Sequence, residues 1–124
     1  MTEEEILEMN PGKQMGDLVA TEVMKWRRDG DHWVTPEGFC FKADGLDGWH
    51  PWQYASPATW QVLEKLRADF WCLEVHIADT CVVKADLLRT PPIFISMTSR
   101  DGIKGLPEAI CKVALLVKYS TKNT

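Results

Sequence analysis

The 124-residue chain has no excess of positive charge, no apolar run long enough to cross a bilayer, no glycine-rich phosphate loop and no cysteines at zinc-knuckle spacing. Each absence narrows the function. With 14 Lys and Arg against 18 Asp and Glu the net charge is -4, whereas a polyanion is held mainly by clustered cations. Nucleic acid is therefore not an expected partner. The most basic cluster, Lys25, Arg27 and Arg28, is interrupted by Trp26 and offers at most a local anion contact. The most apolar late stretch, residues 109–117, contains Lys112 and falls well short of the roughly 20 residues a spanning helix needs. The start, Met1-Thr2-Glu3-Glu4-Glu5, is acidic where a secretory signal is basic. The expectation is a cytoplasmic protein without membrane contact.

Metal and phosphate chemistry are also thinly supplied. Gly45 and Gly48 lie in Asp44-Gly45-Leu46-Asp47-Gly48-Trp49, with no lysine and helix following as a phosphate loop requires. The same segment has aspartates alternating with glycines, yet lacks the late bidentate glutamate of a calcium loop. It reads as a tight turn. The four cysteines, Cys40, Cys72, Cys81 and Cys111, each sit among apolar neighbours. In a reducing compartment they are expected to be small buried hydrophobes. No cofactor and no metal are implied.

What is present is an ordinary globular composition, 45% hydrophobic and 26% charged, in a chain long enough to bury a core without staples. One domain over residues 1–119 is expected, with a disordered polar tail at 120–124. Thr2 and Glu5 form a capping-box pattern ahead of Ile6, Leu7 and Met9, which predicts a helix over 3–9. Met15, Leu18, Val19, Val23 and Trp26 follow one helical stripe, which predicts a second helix over 13–28, stopped at Asp29-Gly30. Alternation then predicts a hairpin, His32-Trp33-Val34 against Phe39-Cys40-Phe41-Lys42, around the turn Thr35-Pro36-Glu37-Gly38. Residues 43–57 fit neither period and read as an ordered loop with aromatic anchors.

Ser56-Pro57 is a helix start, and the helix should run to about Ala68 with Trp60, Leu63 and Leu66 inward. Strands are predicted at 70–77 and 81–85, paired as antiparallel neighbours across Ala78-Asp79-Thr80, and a third at 93–97 after Pro91-Pro92. A polar loop over 100–105 leads to a last helix from near Pro107, with Ala109, Ile110, Val113, Ala114 and Val117 on its docking face. The fold class is α+β, an antiparallel sheet of four or five strands layered with helices.

The order and spacing of these pieces resemble a known family. They are the acidic start leading to Gly12-Lys13-Gln14-Met15 and Leu18-Val19-Ala20, then Val23-Met24-Lys25-Trp26, the aromatic hairpin, the helix Trp60-Gln61-Val62-Leu63-Glu64-Lys65-Leu66, and the closing segment from Leu106-Pro107-Glu108 to Leu116. Together they resemble the phage ABA sandwich domain of small phage and prophage proteins. The resemblance implies a viral or prophage origin, a sheet covered by helices in α-β-α layers, and no established activity. Where members commonly carry a Ser-Thr-Asp type segment before the tryptophan of the middle helix, this chain reads Tyr54-Ala55-Ser56-Pro57-Ala58-Thr59. The acidic residue is missing there.

The candidate chemistry is sparse. His32, His50 and His76 read as surface or loop residues. A nucleophile pair of Cys81, or Cys72, with His76 is the sharpest enzymatic idea, but Cys72 and His76 are about 13 Å apart along one strand, and no oxyanion-stabilising loop accompanies Cys81. The expectation is that the protein is not an enzyme. Six tryptophans ask for an explanation: Trp26, Trp60 and Trp71 fit core stripes, while Trp33 can face either way. Trp49 and Trp52, bracketing His50-Pro51 and followed by Tyr54, either close one end of the core or face a partner, since aromatics supply much contact area at low entropy cost. Trp33, Trp49, His50, Trp52 and Tyr54 are therefore the candidate binding residues, with Lys25, Arg27 or Arg28 as anion contacts. The expected activity is non-catalytic binding to a host or viral protein. The alternative is a small molecule or nucleotide stacked on the aromatic loop.

Overall fold

The structure is a computed structural model that describes residues 2–54, 56–69, 71–87, 93–99 and 101–122. Ala55, Phe70, Pro91, Pro92 and Arg100, which the sequence reading placed in loops or at a strand start, lie outside the described residues.

Helix α1 (Glu3–Glu8) begins as its capping pattern predicts. Thr2 Oγ1 accepts from the Glu5 amide at 3.1 Å, three glutamates occupy the first turn and Ile6 is buried, which suits the positive end of the helix dipole. Helix α2 (Lys13–Leu18) passes into a π-helical turn, Val19–Val23. It ends earlier than the stripe predicts. After Met24 the chain turns through Lys25 in the left-handed region, φ 61°, and Arg27 and Arg28, expected to finish the helix, instead enter β1 (Arg27–Asp29). The reason is tertiary. A turn here carries Trp26 off the helical face and onto Phe41, with ring centroids 5.1 Å apart at 16°.

Strands β2 (His32–Val34) and β3 (Cys40–Lys42) form the expected hairpin, with Trp33 opposite Phe41. Its turn is closed by the Gly38 amide donating to Thr35 O at 2.9 Å and the Phe39 amide donating to Thr35 Oγ1 at 3.1 Å. Asp29-Gly30, read as a helix stop, is instead part of a tight hairpin between β1 and β2, with Asp29 opposite His32. Gly30 there has φ 61°, which glycine adopts without steric cost.

Helix α3 (Pro57–Ala68) is capped by Ser56 Oγ, which accepts from the Ala58 amide at 3.2 Å. Its buried side is Ala58, Thr59, Val62 and Leu66, so the stripe through Trp60 is displaced: Trp60 is 68% exposed. Polar Thr59 goes inward because its hydroxyl donates to Pro51 O at 2.8 Å, which satisfies a buried group. Strands β4 (Cys72–Ile77), β5 (Cys81–Leu87) and β6 (Ile93–Ser99) make a second antiparallel sheet in the order β4-β5-β6. The architecture is thus α+β with two three-stranded antiparallel sheets, correcting the single sheet of four or five strands. The aromatic hairpin instead stacks Phe41 on Trp26, whose ring also meets Trp49 of the following loop.

Helix α4 (Leu106–Lys122) lies between β5 and β6 on one side and the π turn, α3 and α1 on the other. Its burial is correspondingly wide. Cys111, Leu115 and Leu116 are covered along with the predicted face of Ala109, Ile110, Val113, Ala114 and Val117. Lys112 escapes by reaching the Leu7 carbonyl at 2.8 Å and Glu108 at 3.1 Å. Of the tail expected over 120–124, residues 120–122 continue α4, and 123–124 lie outside the described residues. The opposite face of the β4-β5-β6 sheet exposes Glu74, His76 and Lys84. Cys81 and Cys111 are buried as expected, but Cys40 and Cys72 are exposed, because each points outward from a strand.

Candidate functional site

The aromatic loop after β3 is pinned at several points before it reaches α3. The Trp49 amide donates to Lys42 O at 2.8 Å, and the Gly48 amide donates to Gly45 O at 3.1 Å. A methyl group on Gly48 would stand 2.8 Å from the Asp44 carbonyl carbon and 2.9 Å from Ala43 O, so only glycine fits that bend. Asp44 is held by Lys13 at 3.3 Å and Arg28 at 2.9 Å.

Lys13, and after it Arg28, hold the Asp44 carboxyl below its ordinary value of 3.8. A carboxylate depressed on folding contributes stability that is present above that ordinary value and lost as pH falls through the lowered one. The Asp44→Asn variant should therefore lose stability at neutral pH and show a flatter acid limb than wild type when the melting temperature is followed downward from pH near 6. Because the ion pairs face solvent, the difference should shrink in high salt.

The loop places its aromatic residues unequally. Trp49 is 6% exposed; its ring lies 4.7 Å from that of Trp26 at 59°, and its Nε1–H donates to Gln61 Oε1. Trp33 is 3% exposed beneath the Arg28 guanidinium, 5.1 Å from its ring centroid. Both rings belong to the core. Trp52 is half-buried on Gly16, where a side chain would collide with the indole. His50 packs 4.7 Å from Trp52 and donates from Nε2 to Gly45 O at 2.7 Å, leaving Nδ1 buried without a partner. Of the five candidate binding residues only Tyr54 is strongly exposed, at 56%.

The anion contacts do not converge. Arg28 is occupied by Asp44, by Asp17 at 3.8 Å and by Gly30 O at 2.8 Å, while Arg27 pairs with Asp29 at 4.0 Å. Lys25 borders a separate groove. The Cys81 and His76 pairing fails on register: Cys81 stands opposite Ile77, so its buried thiol is on the helix side of the sheet and His76 is on the other. Cys111 is sealed in α4, where burial pushes its thiol well up and keeps it protonated. Among the described residues no three His, Cys, Asp or Glu side chains gather as metal ligands.

What the structure does gather is a set of aromatic residues in which Trp49 and Tyr54 are joined by Phe39, Phe41 and Trp60, which the sequence pattern did not mark as binding residues. Two open grooves, each of about 500 Å³, meet at Phe41 and Gln61. The first runs between Phe41, Trp49, Leu46 and Tyr54, and the second between Phe39, Phe41, Trp26 and Trp60. Around them Leu46 is fully exposed and Phe39 is 67% exposed. The sequence pattern predicts Phe39 as a strand residue and Trp60 as core, and both are exposed instead. The missed signal was Thr59-Trp60, where a polar residue competes for the inward position.

The model of the phage ABA sandwich domain matches residues 17–115, from within α2 to within α4. The chain belongs to the phage ABA sandwich domain family. No curated protein and no solved structure matches it. Both grooves lie inside the part that matches the phage ABA sandwich domain, whereas α1 lies before it. No described helix is long and apolar enough to cross a membrane.

Proposed function

We propose that this phage ABA sandwich domain acts by non-catalytic binding, docking on a host or viral protein through the aromatic surface around Phe39, Phe41, Leu46, Tyr54 and Trp60. The observation that carries the reading is the exposure of four large apolar side chains, Phe39, Leu46, Tyr54 and Trp60, on the rims of two adjoining grooves. Water contact with so much clustered apolar surface is unfavourable, and such patches mark sites that a partner covers. Mixed charges beside them, Lys25, Glu37, Glu64 and Lys65, give the polar rim that surrounds a docking core.

The test is affinity capture from infected and uninfected host lysates, followed by a titration with the purified partner. Trp60→Ala and Phe39→Ala should keep the wild-type melting temperature, since both side chains are exposed. Each should weaken the partner's affinity by about thirtyfold if it is an anchor. Full affinity in the double variant would remove this surface from the reading. A second reading rests on the groove of Phe41 and Trp49, whose volume of about 500 Å³ is the size of small-ligand sites. A flat ligand stacked on Phe41 would raise the melting temperature of wild type and not of Phe41→Ala.

A further inference from the structure

Strand β4 ends the β4-β5-β6 sheet, and among the described residues its outer edge pairs with nothing. Such an edge offers unpaired amides and carbonyls to another strand, and proteins usually blunt it with lysine or proline. Residues Cys72–Ile77 contain neither. The side chains around the edge are also unfinished. Val75 and Ile77 stand opposite Val83 and Cys81, on the helix side of the sheet. Their partners are fully buried, yet Val75 is 40% and Ile77 56% exposed, because α4 covers β5 and β6 and stops short of β4. On the other face Glu74 and His76 point to solvent, 3.3 Å apart.

We infer that β4 pairs antiparallel with β4 of a second copy of this chain about a twofold axis at Val75, giving one six-stranded sheet. The register follows from complementarity. With the axis at Val75, Leu73 meets Ile77 of the second copy on the apolar face, and Glu74 meets His76 of the second copy on the polar face. Symmetry supplies each pair twice. An axis at Glu74 sets that carboxylate against itself, which is unfavourable for residues directly opposite. An axis at His76 does the same for the imidazole and leaves Glu74 facing Ala78. Shifting by half a step pairs apolar positions with polar ones and turns the two copies' apolar faces to opposite sides. Of these registers the Val75 axis alone satisfies both faces, and it extends the apolar strip that α4 leaves uncovered.

Sedimentation equilibrium on the full chain tests this. Wild type should reach a dimer as concentration rises, and Val75→Lys, at a half-exposed site, should stay monomeric, with a melting temperature that matches wild type at concentrations low enough for wild type to be monomeric. His76→Glu should raise the dimer dissociation constant about tenfold by opposing carboxylates twice, and Glu74→His/His76→Glu should recover the loss, since the swapped pair is restored across the axis. In a Cys40→Ser/Cys72→Ser/Cys81→Ala background, which also removes the thiol opposite Ile77, Val75→Cys should form an intermolecular disulfide on mild oxidation, and Ile77→Cys should not. A wild type that is monomeric throughout overturns the proposal. So does a dimer indifferent to Val75→Lys, or a double swap no better than His76→Glu alone. Should Val75→Lys fail to fold, the charge swap and the cysteine pair still decide.

Discussion

Trp49→Ala is expected to lower the unfolding free energy by about 3 to 5 kcal/mol, the range for removing a large aromatic from a core. Three losses combine. The indole is 6% exposed, so truncation leaves a cavity at the junction of the loop, the β1-β2-β3 sheet and α3. Its tilted contact with Trp26 at 4.7 Å disappears, and such a pair adds about 0.5 to 1.5 kcal/mol beyond buried area. Gln61 Oε1 loses its indole donor, although that amide borders the groove and water can replace the bond. The measurement is a urea titration followed by circular dichroism, with the shift read in the midpoint at constant slope. Trp60→Ala is the internal control: at 68% exposure it should stay within about 0.5 kcal/mol of wild type. A Trp49 variant as stable as the Trp60 variant would mean that the loop does not fold back onto the core. The result also governs any binding assay, since a partner lost with Trp49→Ala reports unfolding and a partner lost with Trp60→Ala reports contact.

Ile110→Ala should cost about 2 to 5 kcal/mol, as aliphatic truncations in cores do. Ile110 is 2% exposed in α4, the helix that touches the β5 and β6 strands, the π turn, α3 and α1. A cavity in this helix loosens both sides of the molecule at once. The loss should therefore appear as one cooperative transition at lower urea, with fluorescence of the buried tryptophans and circular dichroism moving together. Separate transitions for the two probes would show that the sheet and the aromatic end melt independently. Ile110→Val, which removes a single methylene, should cost about 0.5 to 1.5 kcal/mol and set the scale for the site.

Several elements were legible in the sequence because short-range chemistry specifies them. Thr2 and Ser56 cap helices where they were expected to, the Thr35-Pro36-Glu37-Gly38 turn closes the hairpin, and Cys81, Val83 and Ala85 alternate inward as a half-buried strand must. The errors cluster where distant residues compete for one position. Lys25 leaves the helix although the stripe continues to Trp26, because the stacked contact with Phe41 lies off the helix axis. Trp60 turns outward because Thr59 can satisfy the Pro51 carbonyl from the inner face. Cys81 and His76 are separated by the sheet itself, a consequence of register that spacing across a turn leaves open.

The candidate site divides the same way. Composition made an aromatic loop visible, and Tyr54 is exposed as a binding residue must be. Which tryptophans belong to the core was decided by Gly16, Gln61 and Trp26, residues up to dozens of positions away that accept or abut the rings of Trp52 and Trp49. The grooves were invisible beforehand because each draws its walls from the hairpin and α3, with Phe41 shared between them.

By itself the sequence determined the α+β class, the helix starts, the hairpin turn, the antiparallel strands β4 to β6 and the resemblance to the phage ABA sandwich domain. These depend on caps, turn residues and periodicity, whose energies act within a few residues of each other. Only the tertiary structure decided that the strands divide into two sheets, that α4 is enclosed on two sides, and that Trp49 is buried while Phe39 and Trp60 are bare. Packing sets those outcomes: a buried position goes to whichever residue fills the volume and satisfies its polar groups, and that competition is settled between segments far apart in the chain.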